Sequence, residues 1–529
     1  MLSRQKITFW SCLLICTFFQ VLPVIRSGWP STAGLSFWGP TGHDGIWHLS
    51  LINHLHNPFK IDLPTMAGES LTNYHPFFDI LAKFLASLTH LPSTLILFQI
   101  LPILMAVSFL YLSFLIGGYP LMLLNTFATS LGWLFGKGET AFWAMQSPSN
   151  QLNPPFMLSL VGLSLLIYLI YRKNKLNGFH LALIFLILTF LPITKIYAAP
   201  TGFFLFLIFS LKKIKSDRRP LWILLSSLIT SVVLFFIYNP NLSATLIYKP
   251  LWFVNTMFES QDRFFLPQIT NIIYTLKASP YFSLRLLIVE IFGVCLFIIG
   301  NYAFRILGFL KTNKEFLFLI LFNTLVPLLF IQKGTAWNTI QFLYYGLFIG
   351  NIALASYLRN KKTFLAVIII ISFIANFPIY KNYLSNPAPT AIFPDEIKAL
   401  NFLHSQTPGI VLTHPYDPYL KNKFSSTPLP IYAYETTAYV SAFSQQLVFL
   451  EDEMNLQILD KNYLQRRQES LTFFDQKNEF QNRGFLVNNQ IDYIYLPKDF
   501  PDRISQNYLA LGIKKIFENN SVLLFSVER

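Results

Sequence analysis

Long apolar segments recur along the first 380 residues, and they constrain the fold more than any other feature of the chain. A helix needs about 20 apolar residues to cross the hydrocarbon core of a bilayer. Eleven segments approach that length: 7–25, 92–116, 119–136, 155–171, 179–194, 197–211, 220–238, 281–302, 315–332, 338–357 and 363–380. The pattern predicts an α-helical polytopic membrane protein with about 11 transmembrane helices.

The composition points to lipid as the main solvent of the chain. The sequence is 53% hydrophobic and 12% charged, whereas soluble proteins carry about 25% charged residues. The net charge of +14 would suggest a nucleic-acid partner in a soluble protein. Here Lys and Arg occupy short runs between apolar segments, as in membrane proteins, so we expect no nucleic-acid partner.

The basic residues also predict the orientation of the chain in the membrane. With the N-terminus in the cytoplasm, sixteen Lys and Arg residues fall in short cytoplasmic segments, as the positive-inside rule requires. These segments are 1–6, 117–118, 172–178, 212–219, 303–314 and 358–362. An odd number of spans then places the C-terminal region outside. We expect a multi-pass protein of the plasma (inner) membrane, in contact with membrane lipids.

The composition changes near residue 381, where polar residues become frequent and long apolar runs end. The stretch "DEIKALNFLH" predicts an amphipathic helix, and "QIDYIYLP" and "NSVLLFSV" predict buried strands. The predicted domains are therefore a transmembrane domain over 1–380 and a small extracytoplasmic α/β domain over 381–529.

The first outer loop, 27–91, is too long to be a simple connector, and loops of this length usually carry function. Its apolar periodicity predicts a helix from Asp44 to about His56 and a second helix that ends near His90. Both are expected to lie at the membrane interface. The polar residues that could converge there, as catalytic or substrate-binding groups, are His43, Asp44, His48, Tyr74 and His75.

A structural explanation competes with each of these functional ones. Asp44 could simply cap the first helix of the loop, since Asp is favoured at helix starts. Asp44, His48 and His75 could bind a divalent metal, but their spacing is not a strong metal signature. We therefore assign no metal ligand and expect no required cofactor, with a divalent metal left open.

Further candidate substrate-binding residues lie near the other predicted outer turns. Glu139 lies between two tryptophans in the second outer loop, and sugars stack on aromatic faces. Lys195 and Lys333 could each hold a phosphate, or could extend the amine to the headgroup layer. The residues after Lys333 could contact a sugar or serve helix packing and anchoring at the interface: Trp337, Asn338 and Gln341.

The chain resembles the GT-C superfamily of membrane glycosyltransferases. The resemblance covers residues 1 to about 380 and rests on the cytoplasmic N-terminus, the long first outer loop with an early acidic residue, Asp44, the many spans and the outer C-terminal domain. It implies a GT-C-like fold, a sugar donor carried on polyprenyl phosphate, and a role for Asp44 as the catalytic base or as a metal-binding carboxylate. Protein mannosyltransferases and aminoarabinose transferases belong to this superfamily. Many members have two adjacent acidic residues there, whereas this chain has "HDG" with His43 before Asp44.

The expected function is that of an inverting glycosyltransferase that transfers a hexosyl or pentosyl group. It would move the sugar from a polyprenyl-phosphate carrier to a glycan, lipid or protein acceptor at the outer face of the membrane, with Asp44 taking the acceptor's proton. One alternative is a transporter or flippase of lipid-linked saccharides, which should carry polar or broken helices at the midplane. Another is a non-catalytic envelope-assembly protein. The polar residues gather at the outer boundary instead, which favours the enzyme.

Overall fold

A computed structural model of the chain describes residues 4–173, 176–240, 246–279, 281, 283–475, 478–500 and 508–528. Lys175, one of the basic residues assigned to the cytoplasmic side, lies outside the described residues. The helices are α1 (Arg4–Ile25), α2 (Asp44–His54), α3 (Phe77–Thr89), α4 (Ser93–Leu95), α5 (Leu101–Phe127), α6 (Pro154–Arg172), α7 (Gly178–Thr194), α8 (Ala198–Lys213), α9 (Arg219–Tyr238), α10 (Trp252–Glu259), α11 (Pro267–Lys277), α12 (Leu284–Tyr302), α13 (Ile306–Phe309), α14 (Lys314–Leu329), α15 (Gln341–Leu358), α16 (Lys362–Leu384), α17 (Pro394–His404), α18 (Ile431–Tyr434), α19 (Tyr439–Ser444), α20 (Glu453–Ile458), α21 (Leu464–Asp475), α22 (Glu479–Asn488) and α23 (Tyr508–Leu511). The strands are β1 (Trp29–Ser31), β2 (Gly34–Phe37), β3 (Leu246–Tyr248), β4 (Phe330–Gln332), β5 (Thr390–Ile392), β6 (Ile410–Thr413), β7 (Leu429–Pro430), β8 (Leu447–Val448), β9 (Ile491–Pro497), β10 (Ile513–Glu518) and β11 (Val522–Val527).

The chain is a multi-pass helical membrane protein, as predicted. The described residues contain seven helices that are long and apolar enough to cross a membrane: Gln5–Ile25, Ser93–Phe135, Pro154–Arg172, Arg219–Tyr238, Leu284–Phe309, Ala336–Leu358 and Lys362–Leu384. Three shorter helices, α7, α8 and α14, occupy further predicted segments. The total of eleven spans stays a prediction.

The chain forms two compact units. The membrane unit consists of residues 1–23 and 102–384, and the α/β unit consists of residues 24–101 and 385–529. The predicted boundary at 380 lies close to the observed one at 384. The difference is in residues 24–101, which the sequence analysis placed in the transmembrane domain and which pack into the α/β unit.

Two sheets build the α/β unit. The first has the order β10-β11-β9-β6-β8, with β6 parallel to both β8 and β9, and with β11 antiparallel to both β9 and β10. The second has the order β1-β2-β5-β7 and combines strands from both ends of the chain. The helix predicted after residue 394 is α17, and the two predicted buried strands are β9 and β11.

Hydrogen bonds across the sequence explain why the first loop belongs to the α/β unit. Strand β2 pairs antiparallel with β5, with Leu35 opposite Ile392. The hydroxyls of Ser50 and Ser441 lie 2.8 Å apart, and the Asn53 side chain donates to the carbonyl of Ala442 at 2.8 Å. These bonds dock α2 on the region around α19.

The two helices of the first loop therefore differ in environment. Helix α2 is buried from Gly45 to Ile52 and packs on α19, so it does not present the exposed apolar face that an interfacial helix needs. Helix α3 exposes Phe84 (59%) and Leu88 (65%), which leaves it the apolar face that an interfacial helix needs.

Candidate active site

His43 holds Asp44 from one side and Asp452 from the other. Its Nδ1 lies 2.9 Å from Oδ1 of Asp44, and its Nε2 lies 3.0 Å from Oδ1 of Asp452. His43 and Asp452 are buried, whereas the Asp44 side chain is 48% exposed. The buried pair thus orients a carboxylate that solvent can reach.

Local structure fixes both carboxylates. Asp44 is the first residue of α2, where a negative charge interacts favourably with the helix dipole, but the N-cap position is occupied by His43. Asp452 is the N-cap of α20 and accepts hydrogen bonds from the backbone and the side-chain amide of Asn455, at 3.4 and 2.9 Å. The orientation of Asp44 therefore depends on a cap that lies 409 positions away in sequence from His43.

The charges explain the protonation state of this cluster. Burial lowers the pKa of His43, but the carboxylates of Asp452 and Asp44 outweigh burial and raise the pKa well above its ordinary value. His43 is then an imidazolium that donates to both partners. Its positive charge lies between the two carboxyl groups.

A second cluster ties α2 to the start of α3. Nδ1 of His48 lies 2.7 Å from Oδ1 of Asp79 and 3.4 Å from the hydroxyl of Tyr74. The ring of His75 stacks on Tyr74 with centroids 5.0 Å apart. Because His48 and Asp79 are both buried, this cluster positions α2, and His48 is not placed for direct contact with a substrate.

A small pocket, with a volume of about 30 Å³, opens beside Asp452 within the α/β unit. Four acidic residues contribute to its walls, Glu435, Glu451, Asp452 and Glu453, together with the rings of Tyr416 and Tyr432. Burial raises the pKa of Glu435, and the charge on His43 lowers it. Carboxylates beside aromatic rings are the groups that proteins use to bind hydroxyl-rich ligands.

These residues do not form a metal centre in the described part of the chain. No three His, Cys, Asp or Glu side chains are grouped there so as to hold an ion. His43 already uses both ring nitrogens on carboxylates, and His75 lies against Tyr74.

In the membrane unit, Glu139 begins a short 3-10 helix, Glu139–Phe142, in the second outer loop. Burial raises its pKa to about 7, although hydrogen bonds from Ser149 and the backbone of Gln146, and the charge of Arg305, act in the opposite direction. Glu139 is therefore a carboxylate whose charge changes near neutral pH, and it is held among polar groups.

Arg305 belongs to the predicted cytoplasmic segment 303–314, but its side chain is buried within the membrane unit. It is 1% exposed, its Nε donates to Asn351 at 2.7 Å, and its Nη1 donates to Gln146 at 2.9 Å. A buried guanidinium must be hydrogen-bonded, and these side-chain amides supply the partners. Arg305 is thus part of a polar network inside the membrane unit.

The remaining candidate residues lie on two turns of the membrane unit that a hydrogen bond joins. The hydroxyl of Tyr197 donates to the side chain of Gln332 at 2.5 Å. Lys195 is buried with its amine 5.8 Å from the ring centroid of Tyr197, and Lys333 is exposed. Trp337 is 42% exposed. The amide of Gln341 donates to Asn338 at 3.4 Å.

Sequence reasoning missed the partners that organise the site. Neither Asp79 nor Asp452 is among the predicted site residues, since an acidic run such as 451–453 is usually a solvated surface. Glu451 and Asp452 are instead buried, and Glu451 accepts hydrogen bonds from the backbone of Val440 and Ser441 at 2.7 and 3.1 Å. The position of Asp452 just before a helical stretch was the available signal, since Asp is favoured as an N-cap.

The fold and the site define a polytopic membrane protein whose α/β unit carries a half-exposed, oriented carboxylate. No family model matches the chain, and no curated protein matches it. Solved structures of an oligosaccharyltransferase from Archaeoglobus fulgidus are similar to the chain. The complex with Zn and sulfate gives a TM-score of 0.47 at 13% identity, over 92% of this chain and 68% of that one. AglB with an inhibitory peptide and a dolichol-phosphate gives 0.47 at 12%, over 94% and 70%. At this TM-score the likeness carries no argument about activity.

Proposed function

We propose that the protein is an inverting glycosyltransferase that takes a sugar from a polyprenyl-phosphate carrier at the outer face of the plasma membrane. The observation that supports this proposal most is the arrangement of Asp44, 48% exposed and oriented by the buried pair His43 and Asp452. A carboxylate that is held in place and open to solvent is suited to act as a general base for a hydroxyl acceptor.

The reaction is a single displacement. Asp44 takes the proton of the acceptor hydroxyl as the acceptor oxygen forms a bond to the anomeric carbon. The bond from that carbon to the phosphate oxygen breaks, and the lipid phosphate leaves with the electron pair. Attack from the face opposite the leaving group inverts the anomeric centre. No step requires a metal ion or another cofactor.

Within this proposal the other candidate residues have separate roles. Asp452 and His43 are positioning residues for Asp44, and His48, Tyr74 and His75 position helix α2. Within the membrane unit taken by itself, Lys195 and Lys333 are the proposed contacts for a lipid phosphate, since a phosphate needs positive charge. Glu139, Trp337, Asn338 and Gln341 are the proposed contacts for sugar hydroxyls. The pocket beside Asp452 takes the acceptor, which is a glycan, a lipid or a protein hydroxyl.

The test is transfer from radiolabelled polyprenyl-phosphate sugars by the purified full-length protein, with an envelope fraction as acceptor. We expect Asp44→Asn to lower the initial rate by about 100-fold or more, because the amide cannot take a proton. Asp62→Asn, a change of an exposed carboxylate in the same loop, should leave the rate unchanged. A full rate in Asp44→Asn would overturn the proposed base. Movement of label across vesicles without transfer would favour a flippase.

A further inference from the structure

A large cavity in the membrane unit lies where several segments that were predicted to face the cytoplasm come together. The cavity is open on one side and has a volume of about 590 Å³. Four parts of the chain form its walls. They are the kink within α5 at 117–118, the C-terminal end of α6 at Arg172, the segment 311–313, and Arg359 directly after α15. Four of the predicted cytoplasmic segments therefore contribute to one site.

The charge of the cavity walls is positive. Arg172, Lys311 and Arg359 line the cavity, and no Asp or Glu does. Among the described residues, no carboxylate lies within 4.0 Å of these three cations. Glu315, which follows the 311–313 segment, pairs with Lys212 instead. Among the described residues, no acidic side chain pairs with the three cations of the cavity.

Two of the cations, Arg172 and Lys311, contact other residues of the membrane unit. Nε of Arg172 donates to the carbonyl of Ile116 at 3.1 Å, and Nζ of Lys311 lies 5.9 Å from the ring centroid of Tyr357. Arg172 and Arg359 also lie at helix C-termini, where a cation is favourable without any ligand. Helix ends alone do not explain why three cations from three elements line one open cavity.

The rest of the lining is largely apolar, including Phe114, Ile167, Phe316 and Ile352. A soluble anion would satisfy the cations but leave this apolar surface in water, whereas a lipid covers both. We propose that the cavity binds an anionic phospholipid of the cytoplasmic leaflet, with its phosphate on Arg172, Lys311 and Arg359 and its acyl chains on the apolar wall. This site is independent of the glycosyltransferase proposed above.

The test uses the detergent-purified full-length protein titrated with phosphatidylglycerol, phosphatidylcholine or glycerol 3-phosphate. Bound lipid is counted by native mass spectrometry, and the unfolding temperature is followed at each concentration. We expect saturable binding of phosphatidylglycerol only. In Lys311→Gln/Arg359→Gln the half-saturating concentration should rise by about tenfold or more, since each cation near a lipid surface contributes to binding.

Two matched variants make the result decisive. Lys213→Gln/Arg218→Gln removes the same charge from an exposed predicted cytoplasmic segment and should bind like the wild type. Lys311→Arg/Arg359→Lys keeps the charge and should retain binding. Equal binding of both phospholipids, or equal loss in both neutralised pairs, would overturn the site. Saturation by glycerol 3-phosphate alone would show that the cavity takes a soluble phosphate and would overturn the lipid.

Discussion

At the scale of single residues, His43 determines how Asp44 presents its carboxylate. A neutral imidazole could donate to only one of its two partners. Because both carboxylates favour the charged ring, His43 donates to both, and the cluster carries a net charge of about −1 in place of two adjacent unbalanced negative charges. Substitutions at Asp452 should therefore act on catalysis through His43.

Asp452→Asn tests this dependence. Loss of the charge removes the stronger of the two carboxylate effects that raise the pKa of His43. We expect the transfer rate to fall by about 10- to 100-fold, as for lost partners of catalytic groups, and the alkaline limit of the pH–rate profile to move to lower pH. Steady-state rates from pH 6 to 10 measure both effects.

Asp417→Asn is the matched control, because Asp417 caps a turn elsewhere in the same unit by accepting from the backbone of Tyr419 at 2.8 Å. It should change neither the rate nor the alkaline limit. A rate loss in Asp452→Asn with an unmoved alkaline limit would mean that Asp452 is needed only for folding.

The sequence could point to Asp44 and His43 but not to the residue that fixes them. "HDG" at the start of a predicted helix marks a polar site by local pattern alone. The link from His43 to Asp452 depends on tertiary packing, and a single sequence contains no periodicity that joins positions so far apart. Likewise, the ion pair between Glu290 of α12 and Lys277 of α11, at 3.0 Å, joins two helices and follows from their packing.

At the scale of elements, the hairpin of β1 and β2 is where the N-terminal loop joins the C-terminal sheet. Because Gly34 has no side chain, β2 can lie close enough to β5 to pair with it. Its φ is +104°, and a Cβ there would lie 2.0 Å from the carbonyl oxygen of Ile392 on β5. That oxygen belongs to the backbone of a paired strand, so it cannot move without breaking the pairing.

Gly34→Ala should therefore destabilise the α/β unit by about 2–4 kcal/mol, from strain at positive φ and loss of the β2–β5 pairing. Gly68→Ala is the matched control: its φ is +83°, but nothing lies within 4 Å of a Cβ there. It should cost about 1 kcal/mol. Thermal unfolding in detergent compares the two, and equal losses would show that φ alone, and not the approach to Ile392, sets the cost.

The start of α17 gives a pH-dependent contribution to stability. Glu396 is buried and accepts from the backbone of Phe393 at 3.2 Å. Burial raises the pKa of Glu396 to about 8, although that hydrogen bond lowers it. Between about pH 4.5 and 8 the folded state therefore holds a proton that the unfolded state has lost, and stability decreases as pH rises through this window.

Glu396→Gln should flatten that decrease, because the amide keeps the acceptor for Phe393 and has no charge to bury. The difference in unfolding temperature between pH 5.5 and pH 8 should shrink by about 5 °C or more. The exposed Glu528→Gln should leave the difference as in the wild type. An unchanged slope in Glu396→Gln would mean that other groups produce the pH dependence.

At the scale of the whole molecule, hydropathy predicted the class of fold and local pattern predicted the main elements of the C-terminal region. Apolar segment length and the shift to polar residues near 381 are properties of neighbouring residues, so a single sequence carries them. A single sequence could not predict that residues 24–101 belong to the α/β unit, because β2 pairs with a strand from the opposite end of the chain.

The orientation in the membrane stays a prediction with a direct test. In a variant with Cys12, Cys16 and Cys295 replaced by Ala, single cysteines are introduced at Ser216 or Ser405. Both serines are exposed, and each donates to the carbonyl three residues before it. In intact cells a membrane-impermeant maleimide should label Ser405→Cys but not Ser216→Cys, and permeabilised cells should label both. The reverse pattern would invert the topology.

The link between His43 and Asp452 also sets an order of events in biosynthesis. A ribosome that adds about 5–20 residues per second needs roughly 20–80 s to extend the chain from the first partner to the second. Until β5 and α19 have been synthesised, β2 has an unpaired edge and α2 lacks the residues that bury it. Residues 24–101 are therefore exposed to misassembly and to chaperones. A protein truncated before residue 452 would insert its early helices and still lack an assembled site.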